Sequence, residues 1–280
     1  MSEVTRFAPS PTGWLHLGHA YAAIFAHERA RRVGGRFFLR MEDIDASRVR
    51  PEYYDAVYED LRWLGLDWDE EVTPQLQRMD AYRDALAQLD ALGVLYPCFC
   101  TRREIREEIA AMPSAPHGPD GAHYPGTCRQ LSADDRAARM AVTAEDLVSW
   151  RLDMAKAVDL AGELRWVDRA RGEQVARPEM FGDVILARKD AGTSYHLSVV
   201  VDDAAQGVTL VTRGEDLFES THIHRLLQQL LGLPVPEWEH HRLICDESGK
   251  RLAKRDDARS IRSLREAGMS AEDVRGKLGL

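Results

Sequence analysis

Apolar and polar positions along this chain change period several times, and each change marks an element. Residues 4–8, apolar at Val4, Phe7 and Ala8, read as a short strand that runs into the turn Pro9-Ser10-Pro11-Thr12-Gly13. Residues 18–32 are rich in Ala and carry Ile24 and Phe25; they read as a helix that Gly34-Gly35 stops. Residues 37–41, Phe-Phe-Leu-Arg-Met, predict the next strand, with the acidic cluster Glu42-Asp43-Ile44-Asp45 at its end. Strand, helix, strand is the βαβ unit of a parallel sheet, whose ligands gather at the carboxyl ends of the strands. The Pro/Gly turn and the acidic cluster both fall there.

Two amphipathic helices follow, at about residues 51–64 and 75–92. Residues 96–190 have a different texture. They hold three of the four cysteines, a Pro/Gly-rich loop over 112–126, and short strand-like pieces at 149–153, 163–168 and 183–188. This stretch reads as an insertion that interrupts the sheet. Strand character returns at 208–213, an amphipathic helix at 219–231, and a short helix ends the chain. The expected organisation is an α/β fold: a first catalytic half over 1–95, the insertion over 96–190, a second half over 191–245, and a lysine-bearing loop with a short helical end over 246–280.

Composition narrows the class. With 280 residues, 44% hydrophobic and 30% charged, the chain has the make-up of an ordinary globular protein. No apolar run reaches the length of a membrane span, and the first residues lack the apolar core of a secretion signal, which predicts a cytoplasmic protein without membrane partners. In that compartment Cys98, Cys100, Cys128 and Cys245 point to metal binding or buried thiols rather than disulfides. A net charge of −9 argues against a general nucleic-acid coat protein. Residues 250–277 nevertheless hold nine basic and five acidic side chains, a local basic stretch on an acidic body.

Five constellations can carry chemistry. The turn at residues 6–13 runs into His16-Leu17-Gly18-His19 at a helix start, where unpaired N–H groups and imidazoles can hold a triphosphate. Gly18, without a side chain, lets a flat base lie against the backbone. Glu42, at a strand end, can take an ammonium group. Arg213 and Arg6, with Tyr195, suit a carboxylate, because a guanidinium offers two parallel donors. The cationic run Gly249-Lys250-Arg251-Leu252-Ala253-Lys254-Arg255 can close over a departing pyrophosphate. Finally Cys98-Phe99-Cys100 with Cys128 suits a structural zinc that needs a fourth ligand, for which His117, His123 and Tyr124 are candidates and histidine is chemically the commoner.

Together these residues resemble the two ATP-binding motifs of class I aminoacyl-tRNA synthetases. The Arg-Phe-Ala-Pro-Ser-Pro-Thr-Gly start, the Met-Glu-Asp-Ile-Asp segment and Val-Val-Val-Asp-Asp…Thr-Arg-Gly-Glu-Asp look like the glutamyl branch. Only about 25 residues follow the lysine loop, too few for an anticodon-binding domain, and with the Cys-x-Cys…Tyr-x-x-x-Cys pattern this resembles the glutamyl-queuosine tRNA(Asp) synthetase family. The resemblance implies a Rossmann-type sheet interrupted by a zinc-bearing insertion and no anticodon-binding domain. It implies ATP with Mg²⁺, glutamate, and a queuosine-bearing tRNA(Asp) anticodon stem-loop as the partners. By the same resemblance Arg6, Phe7, Ala8, Pro9, Ser10, Glu42, Tyr195 and Arg213 bind glutamate, His16, Gly18, His19 and Lys254 bind ATP, and His16, His19 and Lys254 act in catalysis. Its zinc ligands fall on Cys98, Cys100, Tyr124 and Cys128. One departure stands out: Arg251 and Ala253 occupy positions where the usual lysine loop has Lys and Ser, and the missing hydroxyl removes a hydrogen bond of ~1 kcal/mol.

Overall fold

A computed structural model of the chain describes residues 2–112, 116–244 and 260–280. It opens with strand β1 (Val4–Phe7), helix α1 (Leu17–Arg32) and strand β2 (Arg36–Leu39), and the two strands pair in parallel. Gly35 sits where a Cβ would meet the Glu3 carbonyl oxygen at 2.2 Å, so the chain can turn tightly there and start β2 beside β1. Side chains alternate across this pair: Phe37 and Leu39 join the cluster under α1, and Phe38 joins Val4, Trp166, Val211 and Trp238 in another.

Helix α2 (Pro51–Trp63) begins with proline in its first turn, where a missing N–H costs nothing. Next come α3 (Met79–Ala91) and then β3 (Leu95–Cys98), α4 (Arg102–Ala111), the two-residue strands β4 (His117–Gly118) and β5 (Gly121–Ala122), α5 (Ala133–Val142), β6 (Ser149–Leu152), α6 (Met154–Ala161), β7 (Arg165–Asp168), β8 (Gly172–Val175) and β9 (Ile185–Ala187). Strands β3, β6 and β9 form a small antiparallel sheet. The remaining elements are α7 (Tyr195–Ala205), β10 (Leu210–Gly214), α8 (Ser220–Leu230), β11 (Glu237–His241), α9 (Ile261–Glu266) and α10 (Ala271–Leu278).

Strands β10 and β11 pair in parallel across the α8 crossover. Strand β10 meets β1 where the Thr209 N–H donates to the Val4 carbonyl at 3.0 Å and the Val4 N–H donates to Thr209 Oγ1 at 2.9 Å. The hairpin β7–β8 attaches at the far edge through β11, with Trp238 opposite Asp168. Helices α3, α6, α7 and α8 share one apolar cluster with Leu95, Leu152 and Leu186. The C-terminal residues Ile261, Val274 and Leu278 pack into the cluster of α1 and α2.

Four elements are not announced by the apolar pattern. Helix α7 carries Leu197-Ser198-Val199-Val200-Val201, β-branched residues that favour strands, yet burial against its neighbours makes it helical. Strand β11 reads Glu-Trp-Glu-His-His, polar by composition and buried from Trp238 onward. Helices α4 and α5 lie inside the segment read as strands and loop, and neither contributes a buried residue.

Candidate functional site

The carboxyl ends of β1, β2, β10 and β11 open into a cavity of about 530 Å³. Its walls include Arg6, Phe7, Ala8, His16, Gly18, His19, Glu42, Tyr195 and Arg213, residues scattered over more than 200 positions of sequence. Pro9 and Ser10 lie on the adjoining turn, not in the wall. Lys254, with Arg251 and Ala253, lies outside the described residues.

Helix α1 starts beneath this cavity, capped by two imidazoles. His16 Nδ1 accepts the Gly18 N–H at 3.1 Å, and His19 Nδ1 accepts the His16 N–H at 3.2 Å. The rings stack with centroids 3.8 Å apart. Since both Nδ1 atoms accept, a neutral ring at either position carries its proton on Nε2. Gly18 takes part in this arrangement: a Cβ there would stand 3.0 Å from His16 Cε1. Its bareness serves the imidazole as well as the cavity.

Two buried arginines face the cavity in different ways. The Arg6 guanidinium donates from Nε to Asp203 Oδ1 at 2.9 Å and from Nη2 to Asp203 Oδ2 at 3.3 Å. Arg40 shares the same carboxylate through Nη1 at 2.7 Å and reaches Glu42 Oε1 through Nη2 at 3.2 Å. Burial pushes Asp203 up, but Arg6 and Arg40 outweigh it and hold the carboxyl below its usual range. Glu42 goes the other way: burial raises it, and Arg40 and Arg6 only partly offset that.

Arg213, 6% exposed, contacts no carboxylate among the described residues. Its Nε donates to His240 Nε2 at 3.2 Å, its Nη1 to Tyr195 Oη at 3.3 Å and His224 Nδ1 at 3.1 Å, and its Nη2 to Thr221 Oγ1 at 2.6 Å. Burial lowers the affinity of this guanidinium for its proton, as expected for a charge without a direct counterion. Strand ends supply Arg6 and Arg213, the residue run after β2 supplies Glu42, and the first turn of α7 supplies Tyr195.

Asp203, Arg40, His224, His240 and Thr221 were not among the residues singled out from sequence. Two of them had a visible mark: Arg40 precedes the Met-Glu-Asp segment, and Asp203 ends the Val-Val-Val-Asp-Asp run, an acidic residue on an apolar helix. The others carried none.

Away from the cavity, Cys98, Cys100 and Cys128 bring their sulphurs within 4.8 Å of one another. Tyr124 Oη lies 3.4 Å from Cys100 Sγ and accepts the Cys128 N–H at 2.9 Å. His123 turns away, its Nε2 2.8 Å from the Met180 carbonyl. A hydrogen bond to Cys128 raises Cys98, and the same bond lowers Cys128, so the cluster favours one thiolate. Three mutually close sulphurs and a phenol oxygen fit a soft tetrahedral cation such as zinc. Cys245, the fourth cysteine, lies outside the described residues.

Residues 3–278 match the family described as tRNA synthetases class I (E and Q), catalytic domain. The chain is 53% identical over 283 aligned positions to the glutamyl-Q tRNA(Asp) synthetase of Rhodobacter capsulatus, covering 99% of this chain and 100% of that protein. It is 38% identical to the glutamate–tRNA ligase of Aquifex aeolicus, covering 97% of this chain and 56% of that one. A crystal structure of the glutamate tRNA ligase from Elizabethkingia meningosepticum in complex with its amino acid superposes with a TM-score of 0.76 at 28% identity, over 91% of this chain and 52% of that one. No helix among the described residues is long and apolar enough to cross a membrane.

Proposed function

The chain belongs to the class I tRNA synthetases of the E and Q group, within its glutamyl-Q tRNA(Asp) branch, and from that premise we propose that it activates glutamate with ATP without needing tRNA, then transfers the glutamyl group to the cyclopentenediol of queuosine at the wobble position of tRNA(Asp). The observation that carries this reading is Arg213, a buried guanidinium whose direct partners His240, His224, Tyr195 and Thr221 are all neutral, on the wall of a cavity that also holds Glu42. A side-chain carboxylate supplies the missing counterion, and Glu42 takes the α-ammonium group.

The α-carboxylate of glutamate then attacks the α-phosphorus of ATP, giving glutamyl-adenylate and pyrophosphate. His16, His19 and the positive N-terminal end of α1 bear on the phosphates, and Lys254, with Mg²⁺ when bound, would neutralise charge on the departing pyrophosphate. The protein needs no nucleophile of its own. In the second step a hydroxyl of the cyclopentenediol attacks the activated carbonyl, an ester forms and AMP leaves. The anticodon stem-loop sits in the cleft, with the basic stretch at 250–277 along its phosphates. Zinc, held by Cys98, Cys100, Tyr124 and Cys128, orders the insertion and takes no part in the chemistry. The setting is the cytoplasm.

ATP–pyrophosphate exchange with glutamate in the absence of tRNA is the first test, followed by glutamylation of an isolated queuosine-bearing stem-loop. Both should proceed, and the product should be labile in mild alkali. Exchange that needs added tRNA, with charging at a tRNA 3′ end, returns the chain to an ordinary glutamate–tRNA ligase activity.

A further inference from the structure

The unused donor capacity of Arg213 is set by the groups behind it. His240 Nδ1 lies 2.7 Å from Asp168 Oδ2, so its proton sits on Nδ1 and its Nε2 lone pair faces Arg213 Nε. His224 accepts from Arg213 through Nδ1, so its own proton sits on Nε2, 3.2 Å from His196 Nδ1. Each ring is thus locked, by a partner on its far side, in the tautomer that accepts from the guanidinium. Burial and the neighbouring Arg213 charge both push His224 and His240 down, which keeps both rings neutral. Arg6 is the contrast: its direct side-chain partner is already a carboxylate, the forked Asp203.

We infer that His224 and His240 are specificity-determining positioning residues, which orient Arg213 through neutral acceptors and so leave its charge for the side-chain carboxylate of the substrate. This rests on the glutamate-activating reading above. A neutral acceptor fixes the plane of the guanidinium without competing for it. A carboxylate in the same place would satisfy Arg213 internally, and the pocket would then lose its reason to prefer an acidic side chain over the isosteric amide. Asp168 stands behind His240 and bonds its ring and its backbone N–H, so a change at His240 would also disturb Asp168. His224 is the cleaner position to vary.

The experiment is exchange with glutamate or glutamine as the amino acid, in the wild type, His224→Gln and His224→Glu. The two variants share a shape and differ in one charge. His224→Gln should keep the preference for glutamate, with KM within about 5-fold of wild type, whereas His224→Glu should raise the KM for glutamate by about 100-fold and collapse the preference over glutamine. Equal behaviour of the two variants would show that His224 is packing alone and overturn the inference. Should His224→Glu fail to melt cooperatively, His224→Leu replaces it. Leu removes the acceptor, so the KM for glutamate must then rise at least about 10-fold above that of His224→Gln, and equal values overturn the inference. A wild type that gives no exchange with glutamate is a separate outcome, because it removes the activation reading itself.

Discussion

The cavity and the thiol cluster are both polar groupings inside one chain, and they are held by opposite means. Around the cavity Arg6, Glu42 and Arg213 each have a backing partner: Asp203 behind Arg6, Arg40 behind Glu42, His224 and His240 behind Arg213. Those partners sit on strands and helices whose other faces fill large apolar clusters. Around the thiols the apolar support is thin. Tyr96, Cys98 and Cys128 are the buried members of their cluster, and the flanking helices α4 and α5 bury nothing. Preorganisation in the first region comes from the fold. In the second, the proposed zinc would supply the order that packing does not.

The largest expected effect tests the first half of that contrast. Arg213→Ala should reduce kcat/KM for glutamate in the exchange assay by about 10³-fold or more, because a desolvated carboxylate loses its counterion. Its stability should change little, since the groups left behind are neutral. Arg6→Ala should differ in kind. It strips a forked partner from buried Asp203 and leaves Arg40 as the remaining counterion, so the melting temperature should drop as well as the activity, by part of the about 3–5 kcal/mol that breaking a buried pair costs. Melting curves and exchange kinetics on both variants check this. Equal loss of stability in the two would mean that Arg213 too is compensated within the protein.

The next effect falls on the insertion. Purified protein should carry about one zinc per chain by elemental analysis, and Cys128→Ser or a strong chelator should release it. Proteolysis should then cut within residues 96–190 while the rest of the chain stays protected. Tyr124→Phe should weaken zinc retention and His123→Ala should not, since the His123 ring is engaged with Met180. The reverse outcome would move the fourth ligand to histidine. Glutamate-dependent exchange lost in step with the metal would show that the two regions are coupled after all.

Much of the first region was legible because it is written in short motifs. The Pro-Ser-Pro-Thr-Gly turn, the His-x-Gly-His start of α1 and Glu42 past β2 all belong to one local βαβ unit, and local pattern fixes their place. The supports were not legible. Asp203 lies 197 positions from Arg6, and His240 lies 72 from Asp168, so only packing brings them together. Helix α7, which carries Asp203 and Tyr195, is built from residues that favour strands, and tertiary burial overrides that preference. Gly18 was singled out for the room it leaves a flat base; it lines the cavity, and the room it also leaves for His16 had no mark in the sequence. In the insertion the thiol spacing was visible, whereas the turn of His123 toward Met180 depends on a contact 57 positions away.

The smallest effect concerns a polar group inside the well-packed half that breaks the pattern of backing partners. Asp60, on α2, is fully buried, and neither of its carboxylate oxygens has a hydrogen-bond partner among the described residues. Arg265 on α9 comes only to 3.8 Å and bonds instead to Glu59 at 2.9 Å. Burial pushes the Asp60 carboxyl up to about 7, with Arg265 pulling back and Glu59 adding to the rise. The folded state therefore keeps a proton that the unfolded chain releases near the ordinary Asp range. Its contribution is fully present below that range and is lost as pH rises toward about 7. Asp60→Asn removes the titration, and a neutral amide costs less to bury than a carboxylate. The variant should lie closest to wild type near or below about pH 4, gain on it as pH rises to about 7, and exceed it by at least about 1 kcal/mol near pH 8. Melting temperatures measured across that span should converge at the acid end and separate toward the alkaline end. Parallel curves would mean that Asp60 finds a partner as good as those around Arg6.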